Sequence, residues 1–266
     1  MQNVNSLLQK INNASLAKII FYDSSMSFDQ FKNNLEFYNI VFTGDGIFIA
    51  LKNKFGISIR KIQNVEYSNS KLIRFDCNTV ILPLVPKPPI SEFAKILEIF
   101  KYVNNKNRSE LCINVYFNIK TSNFYLDILN QYTNPIKIEY EYNSELENSD
   151  NYIRYLQIHS HNTMPAKFSS TDNIDEKFSQ LCYYGVVGKI NSNSEFYNVD
   201  TSFRFWTGID FVSVDLSTVF NTGIAQIKLH PTIIEKLDQI IESSKIKDME
   251  TKTNLISYET LLNGLD

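Results

Sequence analysis

Four of the chain's seven prolines fall in the run Pro83-Leu84-Val85-Pro86-Lys87-Pro88-Pro89. No helix can pass through such a run, because each proline fixes φ and removes a backbone N–H. The sequence therefore divides here, either at a linker or at an extended segment packed against the parts on both sides. Residues 1–86 read as a small, mostly-β domain. Val4, Leu7, Leu8, Ile11 and Leu16 are compatible with a short helix, and residues 19–22 with a strand. Two apolar runs, 38–42 and 47–51, flank Thr43-Gly44-Asp45-Gly46, a hairpin signal with glycines where positive φ is needed. Further strands are expected at 57–62, 72–75 and 79–82.

After the prolines the period changes. Ser91 is placed to cap a helix in which Phe93, Ile96, Leu97, Phe100 and Val103 recur at helical spacing. Strands are expected at 110–119, 124–129 and 136–142, followed by an acidic loop at 143–150. A strand leading into His159 comes next, then a helix over about 170–181 and a buried strand at 184–190. A turn at 191–194 and short strands at 203–206, 211–214 and 225–229 complete a sheet. Pro231 opens a long helix with Ile233, Ile234, Leu237, Ile240 and Ile241 on one face, most simply a core stripe. The expected class is α+β, with a mixed sheet flanked by helices in a domain spanning 87–246 and a polar tail at 247–266.

Composition narrows the function. With 26 basic and 29 acidic residues the net charge is -3, and no Lys/Arg cluster makes a local footprint for nucleic acid. Cys77, Cys112 and Cys182 are odd in number and far apart, which favours a reducing compartment and disfavours a cysteine zinc site. No apolar run approaches the ~20 residues of a membrane span. A cytoplasmic protein without nucleic-acid or membrane partners is expected.

The chemistry concentrates in residues 156–172. Two of the three histidines, His159 and His161, are two apart at the end of a strand pattern, so both imidazoles face the same side. Asp172, at the start of the next helical stretch, supplies a carboxylate. Two neutral nitrogens and one carboxylate hold a tetrahedral zinc with its fourth position open, the arrangement of a catalytic rather than a structural site. The competing reading is two ordinary histidines and an aspartate that caps the helix.

The spacing His159-Ser160-His161, seven residues, Ser169, two residues, Asp172 resembles the H-x-H-x7-S-x2-D motif of the JAB/MPN (JAMM, Mov34/PAD-1) zinc metalloproteases. The run from His159 through Met164-Pro165-Ala166 and Phe168 to Asp172, with Tyr184-Gly185-Val186-Val187-Gly188 beyond it, is similar to one prokaryotic branch, that of the PRTRC system protein A. The resemblance implies a JAB1/MPN-like, cytidine-deaminase-like core and hydrolysis of an amide by zinc-activated water. It implies as substrate the C-terminal tail of a ubiquitin-like protein or a peptide, in association with a ThiF-like activating enzyme system.

It also implies a general base upstream, at the start of the strand after the first helix, where Glu110 stands; Glu139 and Glu141 are the reserve candidates. Ser169 is implied as a hydrogen-bond donor to the oxyanion, and could equally cap the helix. Two departures stand out: Ile113 follows Glu110-Leu111-Cys112 where relatives often have glycine, and Asn162 follows His161 where they have proline. Asp175 and Glu176 read as helix N-terminal charges and His230 as non-functional. Two other classes remain: a non-catalytic MPN-type interaction module, and a zinc hydrolase of a small-molecule amide.

Overall fold

The computed structural model describes residues 17–263, apart from 68–70, 135–137, 179, 192, 195–197 and 224–226. The helix expected before residue 17 and part of the strand expected at 225–229 lie outside the described residues. The protein is mixed α+β, with two mixed sheets. Its contacts divide into two units. One runs to Pro86 and includes Glu176–Leu181 and Trp206–Val212; the other holds Lys87–Asp175, Cys182–Phe205 and the remainder from Ser213.

The first unit carries a five-stranded sheet in the order β1 (Lys18–Phe21), β2 (Tyr38–Thr43), β3 (Gly46–Lys52), β4 (Gly56–Asn64), β5 (Thr79–Pro83). β1 and β2 are parallel, which demands a crossover, and a helix absent from the sequence reading, α1 (Phe28–Asn34), provides it. Its signal was a capping box: Ser27 Oγ accepts from Gln30 N at 3.2 Å, and Gln30 Oε1 accepts from Ser27 N at 2.8 Å. α1 contributes buried Phe31, whose ring lies 4.6 Å from Tyr22 and 5.8 Å from Phe75 in a core with Val41, Phe48 and Ile59. Ser27→Ala is expected to cost this unit about 1 kcal/mol. Calorimetry of the full chain should show the lowered transition, and an unchanged thermogram would mean that water replaces the cap.

The hairpin differs from expectation in two ways. Gly44 and Gly46 do not have positive φ. They are required instead by close approach, since a Cβ at Gly44 would lie 2.7 Å from the Leu72 carbonyl oxygen and one at Gly46 2.6 Å from that of Gln63. Residues 72–75 make only an isolated bridge, Asp23 to Leu72, because their backbone groups go to scattered partners: Ile73 N donates to Tyr22 O, Gly44 N to Ile73 O, and Phe75 N to Asp45 Oδ1.

In the second unit α2 (Ile90–Asn107) begins one residue before Ser91, with Pro89 at the N-cap and no side-chain cap bond. Proline suits that end because the missing N–H would have no helical partner. The sheet that follows has the order β13-β12-β11-β10-β6-β7. Its strands are β6 (Cys112–Asn118), β7 (Asn123–Ile128), β10 (Tyr152–Ser160), β11 (Tyr183–Gly188), β12 (Asp200–Trp206) and β13 (Phe211–Val214). β10 and β11 are parallel, while β6 is antiparallel to both β7 and β10, and β12 to β11. The register sorts the side chains. Ile113, Leu156, Ile158, Gly185 and Phe203 share one face, where Phe93 of α2 packs with its ring 6.1 Å from Phe203. Cys112, Asn114, Gln157, His159, Tyr184 and Arg204 share the other.

β8 (Asn130–Thr133) and β9 (Ile138–Glu141) form a separate two-stranded ladder, so the strand expected at 136–142 does not join the main sheet. Gln131 ties it to β6 by bonding Cys112 N and O, both at 2.8 Å. The loop expected at 143–150 contains a short helix, α3 (Ser144–Glu147), capped by Asn143.

The helix expected over 170–181 is only α4 (Ser170–Asp175), continued as a 3-10 turn at Glu176–Phe178. Its Ile174 is 61% exposed and so adds little packing to hold a short helix, and Glu176 is buried rather than solvated at the helix N-terminus. After α5 (Leu216–Val219), α6 (Pro231–Asn263) extends through most of the expected tail. Between Pro231 and Gly264 there is neither glycine nor proline to stop it. Leu237, Ile240 and Ile241 are its buried stripe. Among the described residues no helix is long and apolar enough to cross a membrane.

Candidate metal centre

The parallel pair β10 and β11 is joined by residues 161–182, and this crossover holds the chemistry. His159 sits on the polar face of β10, opposite Cys112 on one side and Val186 on the other. The strand end is fixed by Ser160, whose N–H donates to Leu111 O at 3.0 Å while its Oγ accepts from Leu111 N at 3.0 Å. His161 follows immediately and donates its N–H to Val187 O at 2.8 Å.

The chain then turns sharply at Asn162, with φ of 47°. Proline cannot adopt that angle, whereas asparagine tolerates it, which accounts physically for the residue found at this position. Asn162 Nδ2 donates to Arg108 O at 2.9 Å, and its own carbonyl accepts from Ile190 N at 2.6 Å. The loop lies directly on Gly188, where a Cβ would come within 2.3 Å of Met164 O and 2.4 Å of Ala166 N.

These constraints bring three donors together. His159 Nε2 and His161 Nε2 are 3.1 Å apart, His159 Nε2 and Asp172 Oδ1 are 3.6 Å apart, and all three ligand atoms lie within 4.8 Å of one another. A tetrahedral zinc with bonds of about 2.0–2.1 Å spaces its donors by about 3.3 Å, so the residues fit the ion. His161 Nδ1 lies 3.2 Å from Pro165 O; a carbonyl can only accept, so this contact places the proton on Nδ1 and leaves the Nε2 lone pair available to a metal. Burial lowers the pKa of His159 to about 4, opposed by Asp172 and reinforced by His161 and Arg204, so the imidazole is held in its neutral, ligating form.

Ser169 and Asp172 bond reciprocally: Ser169 N donates to Asp172 Oδ2 at 2.5 Å and Asp172 N to Ser169 Oγ at 3.2 Å. Ser169 therefore caps α4, and the same bond orients the Asp172 carboxylate. Capping uses the hydroxyl as an acceptor and leaves its proton to donate elsewhere.

Glu110 stands just before β6 and is 7% exposed. Its backbone is pinned by Asn134 O, which accepts from its N–H at 3.1 Å, and by the Thr133 hydroxyl, which donates to its carbonyl. Burial, and then the charge of Asp172, push its carboxyl up to about 7. It is thus the carboxyl brought within electrostatic reach of the donor set. Glu139 and Glu141 are exposed on β9, and Glu139 pairs with Lys247 at 2.8 Å. His230 is exposed and belongs to the start of α6, its Nδ1 2.9 Å from Thr232 Oγ1 and its carbonyl accepting from Ile233 N.

Sequence reasoning missed Arg204 and Phe168. Arg204 is 7% exposed on the His159 face, and its guanidinium carbon lies 3.6 Å from the centroid of the Phe168 ring. A signal existed: a single cation alternating with Phe203 and Phe205 on an expected strand marks a charge turned to the opposite face, where it needs partners. Compared with known proteins, the chain matches no family model and no curated protein.

Proposed function

We propose that the chain is a zinc-dependent amide hydrolase of the JAMM type, a metalloprotease or isopeptidase that acts at the C-terminal tail of a ubiquitin-like protein. The observation that carries this reading is the convergence of His159, His161 and Asp172 beside a buried carboxyl, Glu110, whose pKa is raised to about 7. The reading is supported by a mixed sheet in which His159 lies near the end of β10 while His161 and Asp172 lie on the connection to the parallel strand β11. Residues 87–246 would form the catalytic domain of a cytoplasmic enzyme working with a ThiF-like activating system.

When bound, zinc supplies Lewis acidity, making water acidic near neutral pH and polarising a carbonyl oxygen. The chain's own residues do the rest. His159, His161 and Asp172 would hold the ion, and the bond from His161 Nδ1 to Pro165 O keeps that ring from turning. Glu110, as carboxylate, takes a proton from the attacking water and then returns it to the leaving amine. A pKa near the working pH suits both transfers. Ser169 donates its hydroxyl proton to the carbonyl oxygen as that atom gains charge, a contribution of roughly 3 kcal/mol to the transition state. A tail ending in glycine suits the site because it lets the substrate backbone come close to the reacting centre.

The test uses the full chain loaded with one equivalent of zinc and a ubiquitin-like protein fused through its tail to a reporter. The expected result is release of the reporter with a mass marking cleavage at the tail, lost on chelation and restored by zinc. An intact fusion alongside hydrolysis of a small amide would select the small-molecule hydrolase. A wild-type chain that takes up no zinc would remove the reading altogether.

A further inference from the structure

Arg204 lies outside the donor set yet touches the crossover on either side of Ser169 and Asp172, at Phe168 and at Asn173. It stands on β12 opposite Tyr184, which in turn faces Gln157 of β10, so it shares the His159 face of the sheet two strands away. Its guanidinium lies over the Phe168 ring at 3.6 Å, and the Phe168 ring is set edge-on to the His159 imidazole with centroids 6.5 Å apart. Its Nη1 donates to Asn173 Oδ1 at 2.5 Å, and Asn173 is the residue after Asp172. One buried cation therefore reaches toward His159 through an aromatic ring and toward Asp172 through a neighbouring amide.

We propose that Arg204 is a positioning residue that clamps the crossover, holding Phe168 and Asn173 so that Ser169 and Asp172 stay in register with the histidines. α4 cannot do this unaided. It is six residues long, Ile174 beside Asn173 is 61% exposed, and a helix that short has no independent stability. The planar guanidinium suits the task because it stacks through its face and donates through its edge at once, which the point charge of a lysine does not.

The inference rests on the metal reading, and two measurements separate its failure from the failure of that reading. The first is amide hydrogen exchange across residues 162–175 in metal-free full-length protein. The second is zinc affinity by chelator competition, with the visible spectrum of the cobalt-substituted protein as a report on ligand geometry.

Arg204→Lys keeps the charge and removes the fork. Asn173→Ala removes only the acceptor, on a partly exposed residue, so that it folds even if the buried Arg204 variant does not. Both are expected to speed exchange over 162–175, to weaken zinc binding by about 10–100-fold, the usual loss when a supporting partner of a metal ligand is removed, and to alter the cobalt bands. Exchange, affinity and spectrum all unchanged in both variants would overturn the clamp. Faster exchange in a wild-type background that takes up no zinc would instead uphold the clamp and overturn the metal centre.

Discussion

Glu110→Gln is expected to leave zinc content and fold intact and to lower kcat/KM for amide hydrolysis by about 100-fold or more, the share of rate that a general base supplies. Glutamine keeps the size of the side chain and its buried contacts but cannot take a proton. The pH profile carries the same information. With its carboxyl at about 7, Glu110 is a competent base only above that value, so wild-type kcat/KM should fall as pH drops through neutrality. The Glu110→Gln variant should lose this limb.

Stability moves the other way. The folded-state pKa of about 7 lies above the ordinary 4.5, so the folded chain binds the proton more tightly than the unfolded one. The corresponding stability is fully present below about pH 4.5 and is lost as pH rises through 7. In metal-free protein, Glu110→Gln should therefore gain on wild type between those pH values, by at most roughly 3 kcal/mol. Full activity in Glu110→Gln, with loss in Glu139→Gln or Glu141→Gln, would place the base elsewhere.

Gly188→Ala is expected to disrupt the centre without touching a ligand. A Cβ at Gly188 would meet Met164 O at 2.3 Å, Ala166 N at 2.4 Å and Pro165 C at 2.6 Å. All three are backbone atoms of the loop that supplies the acceptor for His161 Nδ1, so no side chain can swing away to relieve the clash. Overpacking of this kind costs about 1–3 kcal/mol or more, and the cheapest relief is to lift the loop, which frees the His161 ring. Zinc affinity should fall by at least tenfold, with the far-UV spectrum little changed. Zinc binding equal to wild type in Gly188→Ala would show that the loop and its carbonyl do not orient the ring.

What the sequence determined by itself was local. The stripes Phe93–Ile96–Leu97–Phe100 and Leu237–Ile240–Ile241 specify helix faces because their spacing is the helical period, and α2 and α6 bury those residues. The pair His159 and His161 marked the end of a strand, but His161 lies one residue beyond β10, so its approach to His159, 3.1 Å between the Nε2 atoms, comes from the turn that follows rather than from strand alternation. Even α1 was written locally, in the Ser27 and Gln30 capping box.

Only the tertiary structure decided what depends on partners distant in the chain. That Gly44 and Gly46 admit another strand's carbonyl rather than a positive φ follows from the placement of Leu72 and Gln63. α4 is short and leaves its Ile174 61% exposed, a packing outcome that the spacing of residues 170–181 does not encode. The resemblance put Glu110 ahead of Glu139 and Glu141 without separating their environments; the fold buries Glu110 near Asp172 and leaves the other two exposed. The role proposed for Arg204 depends on the cross-strand register that carries it onto the His159 face. Periodicity is a property of neighbours along the chain. Burial, register and charge proximity belong to residues that folding brings together, and no local spacing encodes them.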